Sequence, residues 1–189
     1  MKLIVNLLTL LCLSVLVPGA ASSQTDSFGA VDTVWAEVSK IDSLNWSINV
    51  SFFNDESVVG MSVPLKMKAG LNRIVADSCI YTGGRAEHFN VRAFRADTAI
   101  QCVTLGMIAS LTSSKKTLPP GRGRLATIFV SSLIDEPIED LSVDTTTTNP
   151  NNQLEVIADS VQGPPENPTK VTDWTQRKII PVFVARKSE

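Results

Sequence analysis

The sequence predicts an all-β protein: an antiparallel β-sandwich of jelly-roll type, with about nine strands, after an N-terminal signal peptide. Three observations carry this reading. Apolar and polar residues alternate at period two through most of the chain. Turn residues recur at roughly eight- to twelve-residue spacing, as in sandwiches. No segment combines a helical period with helix caps.

The chain opens differently. Lys2 gives a positive start, and residues 3–17 are apolar except for Asn6, Thr9 and Ser14. Pro18 and Gly19 break the run, and Ala20, Ala21, Ser22 and Ser23 are small. This is the tripartite pattern of a secretory signal, with cleavage expected after Ala21 or Ser23. The run is too short for the roughly 20 residues that cross a bilayer. The expected organisation is a signal peptide over residues 1–23, a short linker over 24–30 and one β-sandwich domain over 31–189. Secretion to the outside or the cell envelope follows, with no membrane span in the mature chain.

The first strand is expected at residues 34–38. Next, Trp46, Ile48, Val50 and Phe52 alternate with Ser47, Asn49 and Ser51, so a strand carries four large apolar groups on one face. Asn54-Asp55-Glu56 supplies a turn. Met61, Val63, Leu65 and Met67 then alternate with Gly60, Ser62, Pro64 and Lys66. The two runs read as a hairpin, with Pro64 placing the second strand at an edge or a bulge. Further strands are expected at 73–81, 88–94, 99–108, 125–130, 141–147, 154–158 and 178–185. Gly83-Gly84 and residues 121–124 (GRGR) read as turns, not phosphate loops, because no Lys-Ser/Thr follows at P-loop spacing. The stretch 160–177, with Pro164, Pro165, Pro168 and Trp174, is a long excursion.

Composition excludes some functions. The formal net charge is −2, so nothing marks a nucleic-acid binder. Residues 66–124 hold ten Lys or Arg against three acids, and residues 135–166 hold eight acids and no base. These segments lie on different faces, pair with each other, or form a bipolar surface that steers a charged partner. Cys12 leaves with the signal, so Cys79 and Cys102 remain, either as a disulfide or as two buried thiols.

The catalytic inventory is thin. His88 is the single histidine, which leaves no multi-histidine metal site and makes any triad depend on that residue. No catalytic, cofactor or metal residue is assigned. Asp135, Glu136, Glu139 and Asp140 read as acids that keep a hairpin solvated. The oxygen-rich stretch 144–152 is wrongly spaced for a calcium loop. Trp46 reads as core. Tyr81 and Trp174 are the better-exposed aromatics for contacting a ligand, while Trp35 reads equally as core or surface. Asn45-Trp46-Ser47 and Asn49-Val50-Ser51 match the N-glycosylation pattern but overlap within a strand.

Three stretches, in order, resemble the cohesin-like family, within the wider group of carbohydrate-binding-module type β-sandwiches. They are residues 45–66 (NWSINVSFFNDESVVGMSVPLK), 73–83 (RIVADSCIYTG) and 121–130 (GRGRLATIFV). The resemblance implies an extracellular jelly-roll module that engages a dockerin-like protein partner or a polysaccharide. The cysteine pair and the Pro-rich excursion depart from the family pattern. No dockerin-type calcium loop occurs, so the chain would be the receptor side. The expected function is a secreted, non-catalytic binding or scaffolding module. The alternatives are a small extracellular polysaccharide hydrolase and a structural envelope subunit.

Overall fold

The computed structural model describes residues 30–110, 117–145, 154–158 and 177–187. Eleven strands occur among them, in two sheets and without a helix. Five strands form the first sheet. They are β1 (Thr33–Lys40), β2 (Asn45–Asn54), β4 (Ile74–Ile80), β7 (Gly121–Ser132) and β11 (Val182–Lys187), in the order β11-β1-β2-β7-β4. The second sheet has β3 (Val58–Lys68), β5 (Val91–Asp97), β6 (Cys102–Ile108), β9 (Glu155–Ala158) and β10 (Arg177–Ile179), in the order β10-β9-β3-β6-β5. The short β8 (Ser142–Thr145) also pairs with β3. Pairing is antiparallel except between β1 and β11, which run parallel.

The period-two pattern builds the core directly. On the first sheet Val34, Ala36 and Val38 of β1 line up with Trp46, Ile48, Val50 and Phe52 of β2, each at most 3% exposed. On the second, Met61, Val63, Leu65 and Met67 of β3 join Val103, Leu105 and Met107 of β6. The two faces share one hydrophobic cluster. Each large side chain so buried contributes about 1.5–3 kcal/mol.

Several expectations are corrected. The alternating runs at 46–52 and 61–67 are not a hairpin, because β2 pairs with β1 and β7, whereas β3 pairs with β6, β8 and β9. Residues 55–57 instead carry the chain from one sheet to the other. Two runs with one apolar face each satisfy burial equally well by facing each other as by lying side by side. Pro64 is not on an edge strand. On one side of β3, β9 pairs with Val58–Ser62 and β8 with Leu65–Lys68, and Pro64 falls between them. Its carbonyl accepts the Thr145 hydroxyl at 3.2 Å. A residue's N and C=O point to the same side of a strand, so the missing N–H faces this break in the ladder.

The strand expected at 88–94 begins only at Val91, because residues 82–89 form turns that bury Ala86 and Phe89. The run at 178–185 is two strands. Pro181 interrupts it, and the chain leaves the second sheet at Ile179 to join the first at Val182. Residues 133–141 are likewise a crossing between β7 and β8 and not a hairpin. That crossing is pinned where Ile138 accepts the Trp46 indole N–H at 3.2 Å. Residues 121–124 are strand, not turn. Gly123 faces inward opposite Phe52, and a Cβ there would lie 3.0 Å from the Arg85 side chain. The bare backbone thus admits Arg85 beneath β7. The excursion 160–177 lies almost wholly outside the described residues.

Polar order is local. In the β1–β2 hairpin the Asp42 carboxylate accepts the N–H groups of Leu44 and Asn45, both at 2.8 Å, and the Asn45 amide. The Asn45 side chain first, then the Leu44 N–H, hold the Asp42 pKa below the ordinary carboxylate range.

Two outcomes follow. Phe52→Ala opens a void in the fully buried cluster and costs about 3–5 kcal/mol, read from chemical denaturation. A depressed carboxylate contributes stability that is full above its unfolded pKa and lost as pH falls through the folded one. Asp42→Ala therefore lowers stability at neutral pH and flattens the acid limb of the stability–pH curve below the ordinary Asp range. An acid limb parallel to wild type contradicts this.

Candidate functional site

The outer face of the second sheet carries an apolar trough. Cross-strand register arranges it in rows. Lys178, Ile157, Gly60, Ile108 and Val91 form one row, and Glu155, Ser62, Gly106 and Ala93 form the next. These rows, apart from Lys178, and the flanking Met61 and Met107 line an open trough of about 290 Å³. Its lining is almost wholly apolar, with Glu155 at one rim ion-paired to Lys178. Beyond Pro64, Thr104 and Arg95 the face turns charged, with Asp144, Lys66 and Asp97 in register across it.

The floor is bare because three neighbouring positions are Gly60, Gly106 and Ala93. A Cβ on Gly106 would meet only the Ala93 Cβ, at 3.6 Å, an ordinary contact. The backbone does not demand glycine there. Its effect is to keep the middle of the face flat between the Ile108, Val91 and Ile157 walls. A flat apolar floor with a charged flank suits a partner surface.

The described residues singled out from sequence lie outside the trough lining. Tyr81 follows β4 at the edge of the first sheet, half-buried, and its hydroxyl donates to the Ala93 carbonyl on β5 at 2.9 Å. It ties the edges of the two sheets together. Burial, and after it the neighbouring Cys79, push its pKa well above the ordinary phenol range. Trp174 lies outside the described residues. Trp46 is core, at 3% exposure. Trp35 is on the outer face of the first sheet, with the Arg122 guanidinium 4.4 Å from its ring centre and Arg186 at 5.8 Å. Its ring is thus engaged by cations.

Cys79 and Cys102 lie on different sheets, on β4 and β6, and both are free thiols, so the disulfide left open by the sequence is not formed. Burial pushes the Cys79 thiol up from its ordinary pKa. His88 is exposed, with Nε2 3.2 Å from the Thr117 carbonyl. Both sequons sit on β2, which is flanked by β1 and β7. Asn49 accepts the Thr127 hydroxyl at 2.7 Å, and Asn45 donates to Asp42. Of the oxygen-rich stretch 144–152, only Asp144 and Thr145 are described.

In the sequence Gly60 reads as one position of an alternating run, and Gly106 falls within the strand expected at 99–108. The signal was present: small residues at consecutive outward positions of adjacent strands. It needed the register to become visible. A second group joins Asp32 to two residues of the Asn54-Asp55-Glu56 turn. Asp32, Asp55 and Glu56 each place one carboxylate oxygen within 4.8 Å of the others. Among the described residues this is the group with metal-ligand spacing.

Tyr81→Phe removes one interstrand hydrogen bond and should cost about 0.5–1.5 kcal/mol. Alkylation of unfolded, unreduced protein should label both Cys79 and Cys102, and in the folded state at pH 8 Cys79 should react slowly; a mass two hydrogens short of the dithiol contradicts this.

No protein-family model and no curated protein sequence matches the chain. Solved structures do match. The OlpC cohesin of Clostridium thermocellum, solved with the Doc435 dockerin, superposes with a TM-score of 0.57 at 9% identity, covering 87% of this chain and 99% of that one. The third ScaC cohesin of Acetivibrio cellulolyticus, solved with the ScaB dockerin, gives 0.52 at 10% identity, covering 82% and 94%. CaCohA2 of Clostridium acetobutylicum gives 0.52 at 9%, covering 86% and 90%. The chain is an all-β sandwich with a cohesin-like fold.

Proposed function

We propose that this protein is a secreted, non-catalytic binding module that engages a dockerin-type protein partner through the outer face of the second sheet. One observation carries the reading: a cohesin-like sandwich presents a flat, side-chain-poor apolar trough on a single sheet face. Two of the similar cohesins are solved with a dockerin, and the ScaB dockerin is described as having a C-terminal helix. A helix laid across Gly60, Gly106 and Ala93 would bury its apolar side against Ile108, Val91 and Ile157. The charged flank at Lys66, Arg95, Asp97 and Asp144 would set its direction.

The alternatives have less to stand on. Neither described candidate for stacking on a sugar offers an open platform, since Tyr81 is tied to Ala93 and Trp35 lies against Arg122. Export through residues 1–23 is part of the proposal and would place the module outside the cell or in its envelope.

Calorimetric titration against a panel of purified dockerin modules tests this. At least one should bind the wild type. Gly106→Arg and Ala93→Arg should each weaken that binding about tenfold or more, as expected for a residue at an interface centre. Both variants should melt like wild type. Binding that survives both substitutions would move the interface elsewhere. Turnover of a polysaccharide by the wild type would replace the reading with the hydrolase.

A further inference from the structure

We infer that the end of the sandwich beside the β2–β3 crossover is a divalent-cation site, formed by Asp32, Asn54, Asp55 and Glu56, whose oxygen chemistry selects calcium.

The site grows out of the strand pattern. Thr33 faces Phe53 across the β1–β2 ladder, so one step further Asp32 faces Asn54. Both continue the inward alternation that buries Val34 and Phe52, and both are fully buried. Facing residues of this kind have Cβ atoms about 4.5–5.5 Å apart. The chain then turns, and Asp55 and Glu56 bring their carboxylates back to Asp32, with an oxygen of each of the three within 4.8 Å of the others.

Asn54 supplies the independent indication. Its Nδ2 donates to the backbone carbonyls of Glu56 and Pro119. Two carbonyl acceptors fix which end of the amide is nitrogen. The Oδ1 atom is thereby turned away from them, buried and without a hydrogen-bond partner among the described residues. Asp55 accepts the Ala30 N–H on Oδ2, while its Oδ1 is buried without such a partner. Buried acceptors without donors carry their full desolvation cost. A cation between them and the carboxylates removes it.

The positive group alongside is Arg85, whose pKa burial lowers against the opposing pull of the Asp32 carboxylate. Its N–H groups donate to the carbonyls of Phe52, Gly121 and Pro119. It brings one positive charge to a group of up to three negative ones. The donors are all hard oxygens, with no nitrogen or sulfur, which disfavours zinc or copper. Three carboxylates and an amide oxygen, drawn from two chain segments, suit the variable geometry of calcium better than the strict octahedron of magnesium. Water would complete the shell. A bound ion would join the start of β1 to the crossover.

The test is titration of the chelator-treated full chain with CaCl₂, and separately with MgCl₂, followed by calorimetry and by melting temperature. Millimolar calcium, about ten times a dissociation constant of the extracellular-module class, should raise the melting temperature by about 3–5 °C. Magnesium should do less. The double variant Asp55→Asn with Glu56→Gln should still fold and should bind calcium at least tenfold more weakly. Asp140→Asn, a surface control, should keep the wild-type shift. Absence of both heat and shift with wild type at 10 mM calcium overturns the inference. So does calcium binding that is undiminished in the double variant or lost in the control. A larger shift with magnesium would overturn the assignment to calcium.

Discussion

The structure depends on a single constraint: two alternating apolar faces, nearly adjacent in sequence, must face each other. Trp46, Ile48, Val50 and Phe52 line one sheet, and Met61, Val63, Leu65 and Met67 line the other. The residues between them must therefore span the thickness of the sandwich within a few positions. This short crossover fixes which faces are inside for every strand that pairs afterwards. It also explains why polar groups collect there. The inward alternation does not stop where the apolar residues stop, so Asn54 and Asp32 are carried inside by the same geometry that buries Phe52 and Val34.

The class of fold was legible because period-two patterning reports burial on one face, and most of the strands have that character. Partner choice was not legible. An alternating run says which residues point inward, but not which strand lies beside it, so β2 and β3 passed for a hairpin. The GRGR stretch reads locally as a turn, and its real reason lies 36 residues earlier, in the Arg85 side chain that occupies the space left by Gly121 and Gly123. Pro64 was read correctly as incompatible with an unbroken ladder, but the break belongs to the β8 and β9 side of an interior strand.

The candidate face was illegible for a related reason. Its character comes from what is missing at Gly60 and Gly106, and those positions neighbour each other only through the β3–β6 register. Aromatic residues attract attention in a sequence because they are large and rare. Here Trp46 supports the core, Tyr81 joins two sheet edges and Trp35 lies against arginines. None of these three lines the trough.

The parallel pairing of β1 with β11 has a consequence in time. The first strand of the domain completes its ladder only with the last described strand, across almost the full sequence separation of the fold. Closing so long a loop is entropically costly and makes formation slow. Until residues 182–187 are available, one edge of β1 stays open and Val34 and Trp35 lack their Phe183 and Val184 neighbours. A chain that forms its structure from the N-terminal end would thus keep that edge of β1 open until residues 182–187 had followed.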